Sequence, residues 1–135
     1  MQDNFYRISI KALVWEDESK QRVLLSLEEN GKWELLGGGI HFNETPQEAL
    51  KREVKEETGL DVIWVADKPE LFFTFENELR KYMQALVLYE AKLKDLNFKK
   101  SQECVDLKFF TLDEIENLNA YGSVKKFARL LQGSA

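Results

Sequence analysis

Ala85-Leu86-Val87-Leu88 sits in the middle of a run, Tyr82 to Ala91, that is apolar on both alternating faces. A strand of this kind cannot leave either face in water. Burying one Val or Leu side chain is worth roughly 1.5–3 kcal/mol, so the run predicts a central strand covered above and below. Helices on both sides of a sheet supply that cover. A chain of 135 residues holds one such core, because domains commonly run to about 100–150 residues. The expectation is a single α/β domain over 1–135 on a mixed sheet, without internal repeats or low-complexity tracts.

The other elements follow from periodicity and punctuation. Ile8, Ile10, Ala12 and Val14 recur at every second position with Arg7, Ser9 and Lys11 between them, which predicts a strand within Phe5 to Trp15. Glu16 to Gln21 is turn-like. Val23, Leu25 and Leu27 alternate again before Asn30-Gly31, a pair suited to a tight hairpin, with Lys32 to Leu36 as partner strand. Gly37 to Gly39 reads as a turn when taken alone. Further strands are expected near Leu60 to Ala66, Leu71 to Phe75 and Val105 to Phe110, with a turn at Asn77-Glu78 and a loop from Lys92 to Gln102.

Helix starts are written twice. In Thr45-Pro46-Gln47-Glu48, Thr45 can cap, Pro46 suits the first helical position and Glu48 completes a capping box. Gly59 stands where a helix would end in a left-handed residue, which places the helix at about 46 to 58. Thr111-Leu112-Asp113-Glu114 repeats the box, and Val124, Phe127, Ala128 and Leu131 form one helical stripe that reads as core.

Charge and cysteine content narrow the partners. With 24 acidic against 19 basic residues the net charge is -5, so duplex DNA is not an expected ligand. A small polyanion can still bind if divalent cations stand between its phosphates and protein carboxylates. The single cysteine, Cys104, excludes an internal disulfide and reads as a buried thiol. Residues 1–7 carry no apolar stretch, and no segment approaches the roughly 20 apolar residues of a membrane span, so a cytoplasmic protein is the expectation.

At about 100° per residue, Glu56, Glu53 and Glu57 fall within one arc of about 100° that borders the buried side of the first helix, while Lys51 and Lys55 point away. Glu53 and Glu57, four apart, repel each other by a few tenths of a kcal/mol, and by more where water is excluded. Arg52 offers one counter-charge, which does not neutralise three carboxylates. Hard divalent cations would, and Mg²⁺ prefers oxygen ligands. Glycine backbone without side chains can approach a metal or a phosphate closely, so Gly37 to Gly39 fits the same chemistry.

Written out, GGIHFNETPQEALKREVKEETGL, from Gly38 to Leu60, resembles the complete box of the Nudix hydrolases, with every defining position filled. The box covers about a sixth of the chain, and the surrounding order of elements is similar to that family's α/β/α sandwich with a mixed central β-sheet. Two positions depart from the family's habit: Leu36 replaces a frequent proline, and Asn43 a frequent glycine before the first box glutamate.

The resemblance implies hydrolysis of a phosphoanhydride bond in a nucleoside diphosphate linked to another moiety, with Mg²⁺, or Mn²⁺, as cofactor. Glu53, Glu56 and Glu57 would be metal ligands, joined by a backbone carbonyl at Gly37 or Gly38. Arg52 would orient a glutamate, Glu44 or Glu56; Glu44, Thr45 and Gly59 would be structural. The group that takes the water proton lies inside the box in some relatives and on a later loop in others; Glu103 is the candidate outside it, ahead of Asp106.

His41 is assigned no role. Lys99 and Lys100 could meet phosphates, and Trp33, Phe72, Phe73, Phe75 and Tyr82 could stack on a base, although strand aromatics are more often core.

A MutT-like pyrophosphohydrolase of ordinary or oxidised nucleoside triphosphates is the leading reading. Nucleotide sugars, ADP-ribose and RNA 5′ ends are the alternatives, ADP-ribose and dinucleoside polyphosphates being disfavoured because no proline or tyrosine stands 15 to 18 positions beyond Leu60. A non-catalytic nucleotide sensor is the reading of another class, and it fits less well because every box glutamate is kept. Dimers are common among similar proteins, which leaves a homodimer open.

Overall fold

The computed structural model describes residues 5–77 and 79–133. Its elements in chain order are β1 (Tyr6–Leu13), β2 (Arg22–Leu27), β3 (Trp33–Glu34), β4 (Gly37–Gly39), α1 (Pro46–Thr58), β5 (Val62–Val65), β6 (Leu71–Glu76), β7 (Met83–Leu93), β8 (Asp106–Thr111), α2 (Leu112–Ile115) and α3 (Gly122–Gly133). The run that is apolar on both faces is indeed the central strand. β7 pairs in parallel with β1, from Tyr6 opposite Met83 to Leu13 opposite Glu90, and carries β6 and β5 antiparallel on its other edge. β4 closes the far side of β1, and β3, β2 and β8 form a second, antiparallel sheet.

Two apolar clusters lie on opposite sides of the main sheet. On one, Ala49, Leu50 and Val54 of α1 pack on Ile10 and Ala12 of β1, on Val14 just after it, and on Tyr89 and Ala91 of β7. On the other, Val124, Phe127 and Ala128 of α3 pack on Leu13, Leu86 and Leu88. The layering is that of a mixed α/β fold with helices on both faces. Both capping boxes form: Thr45 and Thr111 accept from the backbone N–H three residues on, and Glu48 and Glu114 reach back to the caps. Gly59 ends α1 at φ +76°.

Several local expectations change for physical reasons. Gly37 to Gly39 is an edge strand antiparallel to β1, not a free turn. The hairpin closes through Gly31 N–H to the Glu28 carbonyl and Glu28 N–H to that of Lys32, each at 2.9 Å, with only Gly31 left-handed, and its second strand shrinks to Trp33–Glu34. The expected loop from Lys92 starts later, because β7 runs on to Leu93 to pair with β5. The polar side of β1 is covered too: Ser9 is buried and Lys11 largely so, since β1 is flanked by β4 and β7 and lies beneath the second cluster. Of the expected Asn77-Glu78 turn, Glu78 lies outside the described residues, while Asn77 accepts backbone N–H bonds from Leu79 and Arg80.

Gly37 is fixed by two independent constraints. Its φ is +121°, and a Cβ there would lie 2.1 Å from the Ile10 carbonyl oxygen, a backbone atom that cannot swing aside. Gly37→Ala is expected to cost at least ~2 kcal/mol of unfolding free energy in a urea titration; an unchanged midpoint would mean that β4 does not press on β1 in this way.

Candidate active site

β4 places its outward-facing backbone groups against one edge of α1, and that contact builds the site. The bonding register with β1 alternates, with Ala12 N–H on Leu36 O and Ile40 N–H on Ile8 O, so Gly38, opposite Ile10, spends its own N–H and C=O on the ladder. Gly37 and Gly39 point the other way. Gly37 N–H donates to Glu57 Oε1 at 3.0 Å, and its carbonyl accepts from Lys11 Nζ at 3.1 Å. Gly39 O accepts from Arg52 Nη2 at 2.9 Å.

Arg52 is the hub. Its Nε and Nη2 donate to the two oxygens of Glu44 at 2.6 and 3.0 Å, the forked geometry that a planar guanidinium favours. Its Nη1 donates to Glu53 at 3.0 Å and to Glu56 at 3.2 Å. The Arg52 bond holds the Glu44 carboxyl down at about 2, helped by the His41 backbone N–H. Glu44 thereby ties the loop before α1 to the helix. Asn43, in the position where glycine is frequent, adopts φ +66°, a left-handed conformation that asparagine tolerates.

Gly38 matters for what it lacks. A Cβ on it would come within 2.6 Å of the Glu53 carboxylate, so the helix approaches the strand only over bare backbone. Glu53 is therefore tucked between β4 and Arg52, with its side chain 17% exposed, while Glu56 is 59% exposed.

Glu57 lies deeper. Burial pushes its carboxyl up to about 9, only partly offset by Lys11, and a hydrogen bond with the Glu103 carboxyl raises it further. Glu103 thus reaches the same place from the loop before β8, anchored where its carbonyl accepts from Ser26 Oγ at 2.8 Å and where Ser101 Oγ holds the Glu57 carbonyl at 2.7 Å. Asp106 instead begins β8 and bonds the next backbone N–H. Lys99 and Lys100 line a hollow of about 320 Å³ together with Glu56 and Glu57.

Among the described residues, no three acidic, histidine or cysteine side chains already converge as a ready cation cage. Arg52 draws Glu53 and Glu56 to one side while Glu57 turns to Gly37 and Glu103, so gathering them requires side-chain rotation. The donor set suits a hard cation, being carboxylate and carbonyl oxygens. With its carboxyl raised to about 9, Glu57 keeps its proton near neutral pH, whereas a divalent ion would favour its ionised form.

Two contributors escaped sequence reasoning. Lys11 bonds the Leu35 and Gly37 carbonyls at 3.3 and 3.1 Å and lies 3.9 Å from Glu34. Glu34 is itself largely buried, which raises its carboxyl against the opposing pull of Lys11. Their only signal was a lysine on a strand face that alternation marks as solvent-facing. His41 is exposed and donates only its backbone N–H, to Glu44 at 2.7 Å. Of the aromatics, Phe73 is buried, Phe72 is 61% exposed, and Trp33 packs edge-on against Phe110.

The sequence pattern of the NUDIX domain matches residues 5–131. The chain belongs to the Nudix family. It is similar to the RNA pyrophosphohydrolase of a Nitratiruptor species, 31% identical over 126 residues that cover 81% of this chain and 80% of that protein. It is 34% identical to the RNA pyrophosphohydrolase of Bartonella henselae over 79 residues, 53% of this chain, and the match spans 46% of that protein's length. The solved MutT protein from Methanosarcina mazei Go1 shares the fold, with TM-score 0.77 and 24% identity over 99% of this chain and 98% of that one. The chain is thus a Nudix hydrolase, from a family that generally uses divalent metal ions and acts on small nucleotides. Among the described residues, no helix of this Nudix chain is long and apolar enough to cross a membrane.

The Glu57 shift sets a pH dependence. Its folded value, about 9, exceeds the ordinary 4.5, so the folded state holds the extra proton; the stability involved is complete below about 4.5 and is lost as pH rises toward about 9. Without divalent cations, Tm should fall across that window, and Glu57→Gln should flatten the slope. A parallel slope in the variant would place the responsible proton elsewhere.

Proposed function

We propose that this Nudix hydrolase cleaves a phosphoanhydride bond of a nucleoside triphosphate and releases pyrophosphate, in the manner of a MutT-type enzyme. The observation that carries this reading is the α1 edge itself: Gly38 lets the Glu53 carboxylate approach bare backbone, Gly37 N–H bonds Glu57, and at the end of the helix Glu56 and Glu57 share a hollow with Lys99 and Lys100.

In this reading Glu53, Glu56 and Glu57 hold Mg²⁺, with Mn²⁺ as a substitute; of the two glycine carbonyls the sequence offered, Gly38 O is turned into the β1 ladder, so Gly37 O adds the ligand. When bound, the cation polarises phosphoryl oxygens and lowers the pKa of water. The chain's own residues do the rest. Arg52 keeps Glu53 and Glu56 oriented from its anchor on Glu44. Lys99 and Lys100 take phosphate oxygens.

Glu103, held beside Glu57, accepts the proton of the attacking water as its oxygen bonds to phosphorus and the anhydride P–O bond breaks. The nucleoside enters a cavity of about 300 Å³ on the α3 side of the sheet, lined by Phe75, Tyr82, Gln84 and Tyr121 and reaching Lys11. Lys11 also interacts with the Glu57 charge, which links this cavity electrostatically to the α1 edge.

The relatives named RNA pyrophosphohydrolase favour a second reading, in which the same triphosphate belongs to an RNA 5′ end. A panel separates the two: nucleoside triphosphates, a 5′-triphosphorylated oligoribonucleotide, nucleotide sugars and ADP-ribose, each with Mg²⁺. Pyrophosphate from free triphosphates is the expected result; release from the oligonucleotide alone selects the second reading, and no turnover on any member selects a nucleotide-binding module. Glu57→Gln should lower kcat by at least ~10²-fold with the fold retained by circular dichroism, the loss typical of one electrostatic contact to the transition state. Full activity in that variant would remove Glu57 from the site.

A further inference from the structure

A third hollow, of about 500 Å³, lies where the turn after β1 meets the end of β7; none of its lining residues belongs to α1, β4 or the Glu103 loop. Its floor is apolar, formed by Val14, Ala91, Leu93 and Phe109, and Ile63 and Leu96 stand at the lip. Ile63 is 61% and Leu96 46% exposed. The position of Ile63 is built in: the β5–β7 register slips between Val62 and Trp64, leaving Ile63 unpaired, and such bulges re-aim a side chain. Scattered surface apolar residues are ordinary; two large ones overhanging an apolar recess form a continuous patch.

The rim of this groove is acidic. Glu16, Asp17, Glu18, Glu90 and Asp95 face Lys20 and Lys92, five negative charges against two positive, a formal −3. Both lysines are engaged, Lys20 lying 3.9 Å from Glu90 and Lys92 lying over the Trp64 ring at 5.6 Å. That charge repels polyphosphate, so the nucleotide substrate is not the occupant.

We propose that this groove docks a segment of a partner protein in which a large apolar side chain is flanked by lysines or arginines. The apolar side chain covers Ile63, Leu96 and the floor. The flanking cations meet Glu16, Glu18 and Asp95. An apolar centre within a charged rim is the usual anatomy of such contacts, and opposite charge steers the approach and selects the partner.

The test is fluorescence anisotropy of the full chain with a labelled hexapeptide carrying Leu-Phe between two pairs of basic residues, against a counterpart with glutamates in place of the bases. The basic peptide should bind and weaken with added salt, and the acidic one should not bind. Ile63→Lys, and Glu16→Lys with Glu18→Lys, should each weaken binding at least ~tenfold, while Ile63→Lys leaves nucleotide turnover unchanged. No binding of the basic peptide, equal binding by both groove variants, or loss of binding in Glu57→Gln instead would overturn the proposal.

Discussion

One guanidinium governs how α1 and β4 can coexist. Four glutamates, Glu44, Glu53, Glu56 and Glu57, crowd the edge between helix and strand, and without compensation their mutual repulsion would push that edge apart. Arg52 forks onto Glu44, bonds Glu53 and Glu56, and clasps the Gly39 carbonyl, so one side chain joins the loop, the helix and the strand. Glu57 lies beyond its reach and is settled by a backbone N–H, by Lys11 and by a hydrogen bond with the Glu103 carboxyl. The clasp leaves the charges in place but unevenly compensated, and uneven compensation of this kind is what a cation can complete.

The fold supplies the rigidity this requires. Leu50 and Val54 anchor α1 in the first core cluster, Thr45 and Gly59 fix its two ends, and Gly37 and Gly38 let strand and helix approach without side chains between them. Helix and edge strand therefore move as one body, and the rotations left to the glutamates are side-chain rotations. Such an arrangement suits a site that must hold geometry while exchanging a proton for a metal.

The features legible in the sequence were those written in local code. Thr45, Pro46, Glu48 and Gly59 mark α1 because caps and left-handed glycines act within a few residues. The stretch Ala85 to Leu88 marked the central strand because no other environment accepts apolar side chains on both faces. Less legible was whatever depends on a distant neighbour. Gly37 to Gly39 becomes a strand only because β1 lies beside it, and Lys11 becomes an internal cation only because β4 and β7 enclose the strand that alternation marks as half exposed. Glu103 stood out only through resemblance, since its meeting with Glu57 joins segments some forty residues apart.

The proposed function rests on the α1 carboxylates sharing a divalent cation beside β4. Anomalous diffraction from crystals soaked in Mn²⁺ tests this most directly. The expected result is a peak among Glu53, Glu56 and Glu57 within coordination distance of the Gly37 carbonyl, with Glu53 and Glu56 turned away from Arg52. Density only at other acidic surfaces, with the Arg52 clasp unchanged and the α1 edge bare, would contradict it.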